Sequence, residues 1–458
     1  MTIFKKLSAT WKEDPLLRRV VKNSSYLFSS SMLSAILSFG QTILAVRLLG
    51  LPGWGLVGII QTFASNVNRL VSFRMSEVVV KHLGPALADD RKQEAAGLVK
   101  AAGLTEALTS IVAFIILLCF IPWASRTFAR DVSTTPWFAF YGLILLSNLV
   151  YETSTGVLQA THRFDHLARA NFIQSVITAS MITATYGIYR LTGNIYYSYL
   201  LPAILSAYVL GKTYVSLSFV IQAIRELNSR LEAGWWRTPL GTLTYKRSLA
   251  IFALNTNLNG TVNLFFRDNI PLYIAYLLST TEVGYFRIAM TLIIPITLIL
   301  DPLISPTYTE ISRTIARLEW DTTLRLLKRI TMITSAVVGA MFGFLALTGW
   351  WLIPLVYKPQ ARPVYPVLLI LFLGYGFAGI FQWNRSLMLS LGKAGYPVLI
   401  SVLTGVVELG LIFTLVPRYG YLMMAGLLSG YFIVSLGFIS LRGVLEVRRR
   451  KVAMTGLP

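Results

Sequence analysis

The residues of this chain with most chemistry to offer form a row of amides that ends in an ion pair. Asn255, Asn259, Asn263 and Arg267 recur at every fourth position, followed at once by Asp268, inside the apolar run from Ser248 to Leu278. Residues four apart share one face of a helix, so the row is a hydrophilic stripe along an apolar rod. Ionised groups in hydrocarbon are costly unless they meet a partner or water. Two readings follow: the charges neutralise each other or neighbouring helices in packing, or the stripe lines a wet internal cavity. A second stripe runs through Gln61, Ser65 and Arg69, with Asn68, Ser72 and Ser76 beside it and Arg74 and Glu77 spaced to pair at i, i+3. The first apolar segment carries Ser30, Ser34 and Ser38, a pattern that also suits close helix packing. Other polar groups embedded in apolar runs are Asn148, Tyr151, Glu152, Lys212, Arg287, Asp301, Gln382, Asn384, Arg385 and Glu408. Taken singly, each of these suits a satisfied interhelical contact as well as a site.

What is missing narrows the function. No Gly-rich phosphate loop, zinc motif or nucleophile elbow occurs. His162, Asp165 and His166 have i, i+4 spacing but no third strong ligand in their short turn, and Cys119 is the only cysteine. Neither an enzyme nor a metal or cofactor site is expected, and transport is the leading class.

The elements that must position these residues are membrane spans. The chain has 458 residues, 55% of them hydrophobic and 13% charged, with a mean hydropathy of +0.63. Soluble proteins carry about 25% charged residues. The formal charge of +21 is spread over short connections, which suits anionic phospholipid headgroups and not nucleic acid. Twelve apolar segments are long enough to span hydrocarbon, at about 23–46, 55–80, 99–122, 137–160, 168–189, 196–220, 248–278, 283–307, 330–355, 364–391, 396–416 and 420–441. Pro295, Pro302 and Pro306 in the eighth make it a candidate bending element.

Alternate connections hold 28 and 7 Lys and Arg residues, and this bias places both termini in the cytoplasm. No cleavable signal peptide is expected, because the first apolar segment is full length. The expected organisation is a basic cytoplasmic leader (1–22), an N-lobe of six spans (23–220), an interfacial linker with Trp235, Trp236 and Pro239 (221–247), a C-lobe of six spans (248–442) and a basic tail (443–458). Leu48, Leu49 and Gly55 match Leu277, Leu278 and Gly284 without a gap at an offset of 229. Such a repeat suits two six-helix lobes related by a pseudo-two-fold axis along the membrane normal, around a central cavity.

Two short motifs carry a family resemblance. Arg47-Leu48-Leu49-Gly50 followed by Trp54-Gly55, and Asp268 followed by Thr281-Glu282-Val283-Gly284-Tyr285-Phe286 and later by Tyr308 and Ile311-Ser312, resemble signatures of oligosaccharide flippases, the polysaccharide-transporter or Wzx-type branch of the MATE-like MOP superfamily. The resemblance covers nearly the whole chain in segment order. The chain departs from some relatives in having no charged residue inside its first span and in showing 12 spans where others have 14. The resemblance implies alternating access in the inner (plasma) membrane, a polyprenyl-pyrophosphate-linked oligosaccharide as cargo, and polysaccharide polymerase or assembly proteins as partners. In that setting Arg69, Arg74, Arg267, Arg287 and Arg385 are the candidates to bind the substrate, Arg69 and Arg267 its pyrophosphate, because a guanidinium grips phosphate oxygens bidentately. Asn255, Asn259 and Asn263 are candidates for sugar hydroxyls. Asp268, Asp301 and Glu408 are candidates to carry a coupling H+ or Na+. Two alternatives remain: a proton- or sodium-coupled exporter of drugs or organic cations, and a polytopic enzyme of polysaccharide assembly.

Overall fold

The computed structural model describes residues 15–72, 75–192, 197–231, 234–242 and 264–455. Residues 1–14 of the basic leader, and the candidate residues Arg74, Asn255, Asn259 and Asn263, lie outside the described residues. Every regular element among the described residues is helical. That is the all-α solution a membrane imposes, since a helix satisfies its backbone hydrogen bonds internally where no water can.

In the first half α1 (Pro15–Val71), α2 (Met75–Ala88), α3 (Lys92–Ala124), α4 (Thr135–Gly142), α5 (Ile144–Ser147), α6 (Tyr151–Ala160), α7 (Phe164–Thr192) and α8 (Tyr197–Leu231) follow one another. After a π-helical turn at Leu264–Asp268 come α9 (Ile270–Leu277), α10 (Thr280–Ala316), α11 (Trp320–Tyr357), α12 (Val364–Ile380), α13 (Trp383–Ser390) and α14 (Gly395–Thr455). Seven helical stretches among the described residues are by themselves long and apolar enough to cross a bilayer. This figure is smaller than the number of expected segments for local reasons. α1 and α14 each hold two segments joined at a left-handed glycine, Gly50 with φ 69° and Gly420 with φ 73°, a conformation that only glycine adopts without strain. The fourth segment is assembled from α4, α5 and α6, the fifth lies on α7, which is long enough but not among the seven, and most of the seventh lies outside the described residues.

The chain divides into two compact units, Met1–Leu44 with Phe63–Thr261, and Ala45–Thr62 with Val262–Pro458. The core of the first unit gathers Val79 and Leu83 of α2, Leu98 of α3, Val157 of α6 and Leu227 of α8. Of the serine stripe in the first segment, Ser30 serves packing: it donates to the Ala168 carbonyl at 2.7 Å, and nearby Gln41 donates to the Ser175 carbonyl at 2.9 Å, both acceptors lying on α7. Helix α8 continues to Leu231, beyond the sequence limit of 220. The segment after it is tied down by Lys100, which donates to the Thr238 carbonyl at 3.0 Å, and by Trp235, whose indole donates to Asn228 Oδ1 at 3.1 Å.

The second unit has a core of Ile311, Leu327, Trp383, Leu387 and Val447. It also takes in residues 45–62, and small side chains explain why. A Cβ on Gly55 would overlap the Thr280 carbonyl oxygen and lie 3.0 Å from the Gly284 nitrogen, while one on Gly284 would lie 2.5 Å from the Leu51 carbonyl oxygen. The contact is reciprocal. Leu51 and Thr280, like Gly55 and Gly284, are 229 positions apart, so the two repeat motifs grip each other as equivalent surfaces. Arg47 strengthens the join. Its Nε donates to the Val356 carbonyl at 2.9 Å, at the last turn of α11 where a cation meets the negative end of the helix, and Lys358 Nζ donates back to the Arg47 carbonyl at 3.1 Å.

Candidate functional site

The second unit contains a cavity of about 420 Å³, within the range of about 300–1,000 Å³ usual for small-molecule sites. Residues 45–62 contribute Gly58, Gln61 and Thr62, the π-turn contributes Arg267 and Asp268, α10 contributes Arg287, Met290 and Thr291, and α12 contributes Tyr375. The first and third groups are the same three repeat positions: 58 and 287, 61 and 290, 62 and 291 each differ by 229. The repeat is broken where it matters chemically, because one copy places glycine where the other places arginine.

That difference makes room for the guanidinium. A Cβ on Gly58 would run into Arg287 Cδ and sit 3.1 Å from its Nε. Arg287 is held from three directions: Nη1 donates to the Trp54 carbonyl at 3.0 Å, Nη2 donates to Gln61 Oε1 at 2.7 Å, and its central carbon lies 3.9 Å from the centroid of the buried Trp54 ring. Stacking on an aromatic face and hydrogen bonds from a charged donor are among the stronger polar contacts available. Arg287 is therefore a fixed positive charge at the cavity wall.

Arg267 is different. It sits in the π-turn Leu264–Asp268, a wider turn whose loosened backbone is tied by Tyr273, which donates to the Phe265 carbonyl at 2.9 Å. Its Nε pairs with Asp268 Oδ1 at 3.3 Å, and its side chain is 46% exposed. Among the described residues its outer nitrogens bond to nothing. Single π-helical turns of this kind occur frequently at functional sites.

The structure thus brings Arg267, Asp268 and Arg287 to one cavity. Arg385, on α13, and Asp301, on α10, are exposed and do not line it. Arg69, near the end of α1, belongs to the first unit and is exposed there, with a partner. Glu408 of α14 is 4% exposed, and both of its carboxylate oxygens lack hydrogen-bond partners. Tyr273, Tyr375 and Tyr431 lie within electrostatic range of it. Tyr375 and Thr291 escaped the sequence reading. Gly374 and Gly376 flank Tyr375 and offered a signal, since a Cβ on Gly374 would lie 2.5 Å from Ser429 Cα, which shows how closely α12 and α14 approach there.

Comparison with known proteins bears on the family and the fold. A family model described as polysaccharide biosynthesis protein matches residues 20–312. The inner membrane protein YghQ of Escherichia coli (strain K12) is 26% identical over 158 residues, which is 34% of this chain and 44% of that protein. The match therefore spans less than half of the relative's length. Among solved structures, the inward-facing conformation of a multidrug resistance MATE family transporter of the MOP superfamily has a TM-score of 0.68 at 13% identity, with 91% of this chain and 95% of that chain covered. The lipid II flippase MurJ in an inward closed conformation has a TM-score of 0.62 at 14% identity, covering 92% and 89%. At these identities the likeness is one of fold.

Proposed function

Because the chain belongs to the polysaccharide biosynthesis protein family, we propose that it flips a polyprenyl-pyrophosphate-linked oligosaccharide from the cytoplasmic to the outer leaflet of the inner membrane, with both termini in the cytoplasm. The observation that carries this is the pair of arginines, Arg267 and Arg287, at a cavity that also offers Gln61, Thr62, Thr291 and Tyr375. Each sugar hydroxyl costs a few kcal/mol to bury unpaired, so a bare headgroup crosses hydrocarbon far too slowly. Amide, hydroxyl and phenol groups lower that barrier for the glycan. Arg287 supplies a preset positive field, and the uncommitted outer nitrogens of Arg267 suit the two-pronged grip that phosphate oxygens accept.

The membrane potential favours the direction. Moving negative charge outward across a membrane that is negative inside gains about 2.3 kcal/mol per charge per 100 mV, so two pyrophosphate charges gain roughly 4.6 kcal/mol. Glu408 and Asp268 are the residues we assign to ion coupling. A carboxylate buried without a partner must take up a proton or a cation, which gives Glu408 a means of reporting an ion gradient.

Export of organic cations is the rival reading, and the similar fold of a multidrug transporter keeps it in view. Two arginines against one aspartate give the cavity a positive balance that opposes cationic cargo. In a strain lacking this gene, lipid-linked repeat units should accumulate facing the cytoplasm. The Arg267→Ala and Arg287→Ala proteins should insert in the membrane and fail to restore export. Drug sensitivity with normal surface glycan in the deletion strain would reject the flippase.

A further inference from the structure

The two units differ at the start of equivalent helices. Asp90 and Leu318, 228 positions apart, both take a left-handed conformation, with φ 53° and 60°. The same turn closes around each: the Arg91 nitrogen donates to the Ala86 carbonyl at 2.8 Å, and the Glu319 nitrogen donates to the Thr314 carbonyl at 2.9 Å. This register aligns the start of α3 with the start of α11, so that Gly97, Lys100 and Ala101 correspond to Arg325, Lys328 and Arg329. In the first unit Gly97 is buried, Ala101 is half-buried, and Lys100 donates to the Thr238 carbonyl of the segment 234–242, which packs on α3. In the second unit Arg325, Lys328 and Arg329 are all exposed.

These three cations lead straight into an outward-facing apolar stripe. Arg325, Arg329, Met332 and Ala336 are spaced at four, three and four residues and share one face of α11, with Lys328 and Ile333 at its edges. Met332 and Ile333 are 62% and 59% exposed on a helix long and apolar enough to cross a bilayer. The charges therefore lie where hydrocarbon gives way to headgroups. Helix α14 carries the same pattern reversed: Leu441, Leu445, Arg448 and Val452 share one exposed face, with Arg449 beside it. Two contacts join the ends of these helices. Lys451 Nζ pairs with Asp321 Oδ1 at 2.6 Å, and the Trp320 indole donates to the Met454 sulfur at 2.9 Å. Arg448 lies about one turn before Lys451 and Arg325 about one turn after Asp321, so the two basic stripes flank the bridge.

No acid among the described residues pairs with these cations. Lys328, Arg329, Arg448 and Arg449 make no hydrogen bond or ion pair there, and Arg325 reaches only Thr322 of its own helix at 3.3 Å. Other basic groups nearby are engaged: Lys393 and Arg450 share Glu446, at 2.9 and 3.0 Å, and Lys451 takes Asp321. Packing does not account for the five, since all are exposed and like charges on neighbouring turns repel. Their complement is an anion outside the protein. A soluble polyanion would match the charge alone, whereas a lipid matches both the charge and the exposed apolar surface that continues each stripe. Basic clusters next to a membrane span suit anionic headgroups for this reason.

We propose that Arg325, Lys328 and Arg329 of α11, with Arg448 and Arg449 of α14, bind the phosphate of an anionic phospholipid whose acyl chains run along Met332, Ile333 and Leu441. None of these residues lines the Arg287 cavity, and the test uses no lipid-linked oligosaccharide, so its failure leaves the flippase reading untouched. The full-length protein, freed of lipid in detergent, is titrated with phosphatidylglycerol or phosphatidylcholine, and binding is followed by native mass spectrometry and by melting temperature. The wild type should bind phosphatidylglycerol more tightly, by a margin that shrinks as salt rises.

A cation near a membrane surface is worth about fivefold in binding, so the triple variant Arg325→Gln, Lys328→Gln, Arg329→Gln should lose about a hundredfold of that preference. The double variant Arg448→Gln, Arg449→Gln, on the other helix, should lose about twenty-five-fold. Both should melt like the wild type in phosphatidylcholine, since the substituted side chains are exposed and hold no other element in place. A charge-matched control, Arg126→Gln, Arg190→Gln, Arg418→Gln, altered at exposed positions elsewhere, should keep the preference. Equal binding of the two lipids by the wild type, a triple variant that keeps the preference, or a control that loses it overturns the proposal. Stabilisation by inorganic pyrophosphate equal to that by phosphatidylglycerol would assign the cluster to a soluble anion and overturn it as well.

Discussion

Gly55→Ala tests whether the repeat motifs position the cavity. The new Cβ would lie 2.8 Å from the Thr280 carbonyl carbon and 3.0 Å from the Gly284 nitrogen, and both are backbone atoms that cannot turn aside. Heavy atoms without a hydrogen bond prefer separations of about 3.5–4.0 Å, so residues 45–62 and α10 must part by roughly 1 Å. Overfilling a close contact of this kind costs about 1–3 kcal/mol. The consequence reaches Arg287, one turn further along the same crossing. Opening its 2.7 Å bond to Gln61 by 1 Å breaks it. A hydrogen bond to a charged group is worth about 1.5–3 kcal/mol, which corresponds to a loss of export of about tenfold or more. Gly284→Ala meets the Leu51 carbonyl oxygen at 2.5 Å and should behave alike. The double variant should cost little more than the worse single one, because helices already parted have room for the second methyl. Export of lipid-linked repeat units in a complemented deletion strain and the melting temperature of the purified protein are the assays. Gly339→Ala, which meets nothing within 4 Å, is the control. Wild-type export and melting temperature in the Gly55→Ala protein, or full additivity in the double variant, would refute the crossing as the device that sets Arg287.

Other expectations follow from the same geometry. Arg287→Lys should not rescue export, because an ammonium cannot bridge the Trp54 carbonyl and Gln61 while lying flat on the indole; wild-type export would show that charge alone suffices. Glu408→Gln should fold normally, since neither carboxylate oxygen has a partner to lose, and export in vesicles should no longer respond to an imposed proton or sodium gradient. Asp301→Asn and Arg385→Ala, at exposed positions outside the cavity, should leave export within about twofold, since surface substitutions usually change free energies by less than 0.5 kcal/mol; a larger loss in either would move the coupling or binding site out of the cavity.

Composition and periodicity determined a good deal. Long apolar runs dictate an all-α membrane protein, because hydrocarbon leaves the backbone no other partner. The 229-residue offset was legible because repeated segments keep the residues their contacts need. Arg267, Asp268 and Arg287 stood out because charge inside an apolar run is costly. A helical pattern shows which residues share a face and nothing about which face meets which. Only the tertiary structure decided that residues 45–62 join the second unit, that Gly58 yields its space to Arg287, and that Gln61 and the Trp54 carbonyl hold that guanidinium. It likewise placed Asp301 at the surface and joined Ser30 to α7. These outcomes depend on close approaches between segments far apart in the chain, where a single missing Cβ determines how near two helices come, and such approaches leave no periodic trace in either segment alone.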